Sequence, residues 1–273
     1  MKRPVFLGLF AQPPKALQIV LAALPFVLLL VAYLVASDIR LEANPNDKLL
    51  PSVGQMVDAI DRLAFQPDRR TGDYLFWQDT LSSLQRLLTG LGLSTLVALT
   101  VGVMMGAFNG LFVLGNPFLT FISMVPPLAL LPILFISLGI DEVGKIALIF
   151  IGTFPIMTRD VALSVRGMPK ELIIKAKTLG ASDFAVVGTL LLPQIMPRLI
   201  TALRLSLGAA WLFLIAAEAI ASTDGLGYRI FLVRRYLAMD VIIPYVLWIT
   251  LLGFLMDLLL RILLKWRYKW YQG

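Results

Sequence analysis

The stretch RDVALSVRGMPKELIIKAKTLGASDFAVVGTLLLPQIMPRLITALR, residues 159–204, interrupts an otherwise apolar chain. It carries seven Lys/Arg against three Asp/Glu, with the run Ala176-Lys177-Thr178-Leu179-Gly180-Ala181-Ser182 at its centre. On both sides lie segments long and apolar enough to cross a membrane. Its local signals predict two short helices rather than an open loop. Pro169 suits a first helical turn, Gly180 a helix stop, and Ser182 an N-cap with Asp183 at the positive helix end. Pro193 and Pro197 are expected to end the second helix. Small residues at the Gly180-Ala181 corner leave room for a second surface, and Lys175, Lys177 and Asp183 offer rim charges. The expectation is a folded loop gripped by a soluble partner.

The rest of the composition sets the solvent. The chain has 273 residues, is 59% hydrophobic and only 15% charged, and has a mean hydropathy of +0.85. A soluble domain would be about a quarter charged, so lipid is the expected surroundings. The net charge of +7 does not imply nucleic acid, because the cations form no single face or arm and cluster between the apolar segments. There is no Cys, hence no disulfide or thiolate chemistry. There is no His either, which removes the commonest general base and transition-metal ligand and disfavours a metal-dependent or His-based enzyme.

Apolar runs predict six membrane helices, at about 17–36, 81–106, 117–138, 146–161, 205–221 and 241–264. The first is read as an uncleaved span, since it is longer than a signal core. Residues 38–79 carry eight acidic and five basic residues, against three cations in residues 1–15. That asymmetry puts the N-terminus inside and this segment outside; the 222–240 segment, slightly positive, is the exception to the bias. Ser52 and Gln55 form a capping-box signal for an amphipathic helix in the outer segment. Gly90, Gly92, Gly102 and Gly106 predict close helix contacts for the second span. Pro126, Pro127 and Pro132 predict a kinked third span after an uncharged connection over 107–116. Pro126, Pro127, Trp211 and Glu218 are candidates to line a pathway, because prolines and ionisable groups inside spans are costly. For Glu218 an equal alternative is pairing with Arg229 or capping a helix at the outer end. The domain reading is therefore 1–36, cytoplasmic N-terminus and first span; 37–80, outer segment; 81–265, a five-helix core including the loop 162–204; and 266–273, a cytoplasmic tail of mixed cations and aromatics.

The loop resembles the EAA loop of ABC-importer permeases, whose pattern is Glu-Ala-Ala, three residues, Gly, nine residues and Ile-x-Leu-Pro. Gly180 matches the glycine, Ala176 the second alanine, and Leu190-Leu191-Leu192-Pro193 the closing segment. Ile174 and Lys175 stand where the family has Glu and its first Ala, and Glu171 lies one turn before them. Further stretches resemble the nitrate/sulfonate/taurine branch in the family's order: Leu50-Pro51-Ser52, the run from Ser83 to Gly90, the run from Pro126 to Pro132, Ala210-Trp211, Ala216-Ala217-Glu218, Gly225-Leu226-Gly227-Tyr228 and Met256-Asp257.

The resemblance implies an all-α integral membrane protein of about six transmembrane helices, with a cytoplasmic coupling-helix loop between spans four and five. It also implies a permease of the bacterial inner membrane with both termini cytoplasmic, which performs no chemistry itself and carries no cofactor. ATP and Mg would sit on two cytoplasmic ATP-binding subunits gripping Glu171, Ile174, Lys175, Ala176, Lys177, Gly180, Ala181, Ser182, Asp183, Leu192 and Pro193. A second permease copy or a homologous permease and an external solute-binding protein complete the implied assembly. The implied solute is small and polar, such as an oxyanion or sulfonate. Two other classes stand beside this reading. An ATP-independent channel or carrier would not need a folded loop, and an integral-membrane enzyme would need a carboxylate cluster, whereas Asp and Glu are scattered along this sequence.

Overall fold

The computed structural model describes residues 13–45, 47–69 and 72–271. Residues 1–12, which carry most of the N-terminal charge argument, and the last two residues of the tail lie outside the described residues. Among the described residues every regular element is helical, as the composition predicts. Five helices are long and apolar enough to cross a membrane: Lys15–Ala43, Leu75–Ala107, Glu142–Arg166, Asp183–Ile220 and Met239–Arg267. A sixth is counted if the bent pair Asn109–Met124 and Pro127–Leu138 is taken as one span.

Helix α1 (Lys15–Ala43) is apolar all round and largely exposed; only Ser37 on it is buried. Its far end is tied down where Tyr33 and Ser37 donate hydroxyl hydrogen bonds to the carbonyls of Pro51 and Leu50. Helix α2 (Val53–Ala64) begins with the predicted capping box: Gln55 N–H donates to Ser52 Oγ, and Ser52 N–H to Gln55 Oε1. Helix α3 (Leu75–Val97) runs through one π-helical turn into α4 (Val103–Ala107), so the second span starts six residues before the predicted 81.

The expected connection over 107–116 is not a loop. The chain reverses at the single extended residue Phe108, and α5 (Asn109–Met124) begins at once, carrying Pro117 inside it. The third span is broken rather than kinked. Val125 and Pro126 both adopt extended backbone, at ψ 124° and 114°, because a residue preceding proline is excluded from the helical region by the ring of its successor. With Pro126 and Pro127 consecutive, two successive residues leave the helix, and the flanking segments meet at 83°. Pro132 falls in the first turn of α6 (Leu131–Leu138), where its missing N–H is no loss.

Helix α7 (Glu142–Arg166) is the central post, packed by α3 and α4 on one side and by α10 (Leu192–Ile220) on another. The approach is close because side chains are absent where backbones meet. A Cβ on Gly102 would stand 2.8 Å from the Thr158 carbonyl and 2.9 Å from Val161 Cβ, whereas a Cβ on Gly92 would meet nothing within 4 Å. Gly90, Gly102 and Gly106 therefore serve the close packing expected of this span, and Gly92 does not. Gly102→Ala is expected to cost about 1–3 kcal/mol through overpacking, more than the gain of about 1 kcal/mol in helix propensity. Gly92→Ala keeps only the gain and should leave the melting temperature in detergent unchanged or raised. Equal melting of the two variants would remove the packing argument.

The polar interval folds as α8 (Lys170–Thr178) and α9 (Asp183–Val186), as expected. The expectation that Pro193 and Pro197 end the second helix is wrong. From Asp183 the chain is helical without interruption to Ile220. A π-helical turn over Val187–Leu191 widens the helix just before Pro193, so that proline occupies the start of a new α-helical register. Pro197 removes one ladder bond inside the helix and is buried there. The predicted fifth span, 205–221, is thus the C-terminal part of a 38-residue rod. Helix α11 (Leu226–Val233) leads to α12 (Met239–Arg267), the last span.

Candidate functional site

Chemistry-bearing residues gather at the two ends of the bundle. At the end where α3 and α7 begin and α10 finishes, one arginine organises a buried ion network. Arg86, 2% exposed, lies a turn and a half beyond the start predicted for the second span. Its Nη1 donates to Glu218 Oε1 at 2.7 Å, and its Nε and Nη2 grip the Glu142 carboxylate at 2.5 and 2.7 Å. It also donates to the Asp224 carbonyl at 3.1 Å and pairs with the Asp224 carboxylate. Glu218 is fully enclosed, and its remaining capacity is taken by Ser83 Oγ at 2.8 Å and the Gly227 N–H at 2.8 Å. Lys145, 4% exposed, donates to Glu142 at 3.0 Å and to Ser222 Oγ at 3.1 Å.

A second knot adjoins the first. Asp79, also fully buried, accepts from Arg229 Nε at 2.7 Å, the Gly225 N–H at 3.0 Å and the Tyr245 hydroxyl at 3.1 Å. The turn after α10 allows this convergence because Gly225 has φ 114° and ψ 160°, a region open essentially to glycine alone. Burial raises the Asp224 carboxyl, but its bonds to Arg86 and Ser82 outweigh that and hold it below the usual carboxylate range. Burial likewise lowers the Arg229 guanidinium, and the Asp79 carboxylate more than restores it, so its net shift is upward. Each of the four carboxylates is bound by a guanidinium or ammonium group. The arrangement suits a rigid tie between α3, α7, α10, α11 and α12 rather than proton transfer.

This corrects two expectations. Glu218 pairs with Arg86, not with Arg229, which belongs to Asp79. Four acidic residues that are scattered in sequence, Asp79, Glu142, Glu218 and Asp224, converge in space. Asp79, Ser83, Arg86, Glu142, Lys145 and Asp224 were not singled out as site residues, although a legible signal existed. An arginine inside the predicted span 81–106 is as costly as a glutamate inside a later one, and two opposite intramembrane charges are each other's natural partners.

At the opposite end, α8 and α9 form a stiff hairpin. Gly180, at φ 86°, closes a Schellman motif: its N–H donates to the Lys177 carbonyl at 2.9 Å, and the Ala181 N–H donates to the Ala176 carbonyl at 3.1 Å. Ser182 caps α9 by accepting from the Ala185 N–H at 3.2 Å, and Lys177 pairs with Asp183 across the corner. Pro169 sits at the N-cap of α8. One face of α8, with Ile173 and Ala176, packs on the helix bundle. The other holds Glu171, Ile174, Lys175 and Leu179, all exposed, with Leu179 at 89% and Ile174 at 61%. Leu192 and Pro193 lie beyond the hairpin, in the first turn of α10.

The pathway candidates are spread out. Pro126 is exposed at the break between α5 and α6, with Pro127 next to it half-buried. Trp211 is buried in α10, and its indole N–H, beside Gly253 of α12, has no hydrogen-bond partner among the described residues. Glu218 lies two turns further along α10, inside the ion network.

Residues 83–268 match the family of binding-protein-dependent transport system inner membrane components. A probable ABC transporter permease of Brucella melitensis is 36% identical over 67% of this chain and 74% of its own. The taurine transport system permease of Escherichia coli is 34% identical over 73% of this chain and 72% of its own. Among solved structures, an inward-facing form of the MetNI methionine ABC transporter superposes with a TM-score of 0.58. It covers 71% of this chain and 98% of that one at 20% identity, a likeness of fold.

Proposed function

The chain belongs to the family of binding-protein-dependent transport system inner membrane components, and from that membership we propose that it is the permease subunit of an ATP-driven importer for a small polar solute. The observation that carries this reading is the α8–α9 hairpin. It presents Ile174 and Leu179 to solvent from a segment too polar to enter lipid, on a scaffold fixed by a Schellman turn, a serine cap and an ion pair. Exposed apolar side chains on a rigid polar element mark a surface that a partner covers. In this reading the partners are two cytoplasmic ATP-binding subunits, which supply ATP and Mg chemistry. A second copy of this chain or a homologous permease completes the membrane unit, and an external solute-binding protein delivers the cargo. Ile174, where the resemblance expects glutamate, then contributes an apolar rather than a charged contact.

The hairpin end is cytoplasmic and the ion network lies near the outer surface. Closure of the ATPase pair would pull α8 and α9, and α9 continues without a break into α10, which reaches the network at Glu218. A rod of 38 residues spans about 57 Å, so a displacement at its inner end is delivered to the outer ends of the spans as a rigid-body motion. Glu218 serves in this reading as the outer anchor of the rod. The solute is a small oxyanion or sulfonate; the taurine permease relative supports that class.

Ile174→Asp combined with Leu179→Asp tests the reading. The expected result is that the folded permease reaches the membrane normally, loses co-purification with its co-expressed ATPase partner, and loses substrate-stimulated ATP hydrolysis. Retained capture and uptake would sink it, because the exposed apolar face of the hairpin would then not be the docking surface.

A further inference from the structure

The hairpin end of the bundle holds a second feature, a half-open cleft, whose Arg166 and Lys170 are not among the residues assigned to coupling. A cavity of about 280 Å³ lies between the α4–α5 turn, the last turn of α7 and the inward face of α8; among its lining residues are Phe108, Asn109, Arg166, Lys170, Lys177 and Asp183. Its ionised lining residues are three cations and one carboxylate, and Lys177 already neutralises Asp183. Among the described residues, Arg166 and Lys170 have no carboxylate partner. Arg166 is held in place by the Asn109 side-chain carbonyl, to which its Nη1 donates at 3.1 Å, and by the Phe112 ring, 4.1 Å below its guanidinium carbon. These neutral contacts orient the cation without cancelling its charge.

The surroundings add to that excess. Asn109 is the first residue of α5, a 16-residue helix whose N-terminus receives no side-chain cap. The positive end of that helix therefore lies beside a guanidinium, a like-sign juxtaposition. Solvation of the loop alone would explain scattered lysines at a membrane boundary. It does not explain why two cations without a carboxylate partner, both exposed, line one half-open cleft. The walls also include apolar Phe108, Ile173 and Val165, as suits a ligand with a charged head and an apolar continuation.

We propose that this cavity is a binding site for a phosphate ester anion at the membrane–water boundary, with Arg166 and Lys170 as its principal ligands. The same chemistry is offered by the headgroup of an anionic phospholipid and by a soluble phosphate monoester. Because Arg166 closes α7 and Lys170 opens α8, an occupant would fasten the hairpin to the central helix.

The test uses the full-length chain purified in neutral detergent, with native mass spectrometry and thermal melting as readouts. The probes are phosphatidylglycerol, phosphatidylcholine and free glycerol phosphate. The expected result is that phosphatidylglycerol binds and raises the melting temperature, and that phosphatidylcholine does neither. Arg166→Gln with Lys170→Gln should weaken binding roughly thirtyfold, from about a tenfold loss or less for each cation removed. The charge-keeping pair Arg166→Lys with Lys170→Arg should retain it, which separates loss of a ligand from loss of fold. Displacement of the lipid by glycerol phosphate would assign the site to a soluble ester, and its absence to the headgroup; both uphold the site. Undiminished phosphatidylglycerol binding by the Gln pair would overturn the proposal. So would an equal loss in Lys265→Gln with Lys269→Gln, cations of the tail that do not line the cavity.

Discussion

Arg86→Met is expected to destabilise the folded chain by about 3–5 kcal/mol, the cost of leaving a buried ion network without its central partner. The size follows from what remains behind. Glu218 is fully enclosed and would keep only Ser83 and the Gly227 N–H, while Glu142 and Asp224 would lose the guanidinium that draws α7 and the turn before α11 toward α3. Arg86→Lys should recover part of the loss, because one ammonium group cannot meet three carboxylates in the forked geometry of a guanidinium. Glu218→Gln keeps the shape and removes one charge, so its loss should be smaller than that of Arg86→Met. Combining Glu218→Leu with Arg86→Met should cost less than the two singles added, since the double variant buries no orphan from that pair. Melting in detergent and membrane abundance measure all five variants, the Glu218→Leu single included. Additive losses would mean that Arg86 and Glu218 act separately. If Glu218→Gln melts like the parent but abolishes uptake with ATPase capture intact, Glu218 touches the solute and is more than the anchor assigned to it above.

Gly225→Ala should lose about 2–4 kcal/mol by two routes. At φ 114° and ψ 160° an L-residue is strained whatever space surrounds it. Space is also lacking: the added Cβ would stand 2.5 Å from Glu218 Cδ and 2.7 Å from Arg86 Nη1. Relaxing either clash moves the Gly225 N–H off Asp79 and so disturbs both knots of the network together. Gly180→Ala provides the contrast. Its φ of 86° carries a similar backbone penalty, yet no atom lies within 4 Å of the new Cβ. Its loss should therefore be smaller and confined to the hairpin, visible in local hydrogen exchange rather than global melting. A milder effect for Gly225→Ala than for Gly180→Ala would contradict the steric account.

The parts legible in the sequence were those settled over a few neighbouring residues. The Ser52–Gln55 capping box, the Gly180 stop and the Ser182 cap all formed as expected, because a cap needs only one side chain and the backbone three residues away. The apolar spans were legible for the same reason: in lipid, backbone groups must be satisfied within the segment itself, so length and hydropathy suffice. Two of the misreadings concern prolines. Pro126 and Pro127 suggested a kink but produced a break, since consecutive prolines exclude two preceding residues from the helix. Pro193 and Pro197 suggested an end but were absorbed by a π turn and by a buried helix interior. A proline's local cost is the same in each case; whether the chain continues depends on what packs around it.

Composition, hydropathy and the basic stretch 159–204 by themselves determined an all-helical membrane protein with a folded helical hairpin. Only the tertiary structure decided that Arg86 meets Glu218 across 132 positions of chain, that Asp79 rather than Glu218 holds Arg229, and that the hairpin and the ion network are the two ends of one rod. The reason is the range of the forces. Caps and hydropathy act within a turn or a segment. A buried charge can be satisfied by any opposite charge the fold brings within about 3 Å, and that choice is made when helices pack.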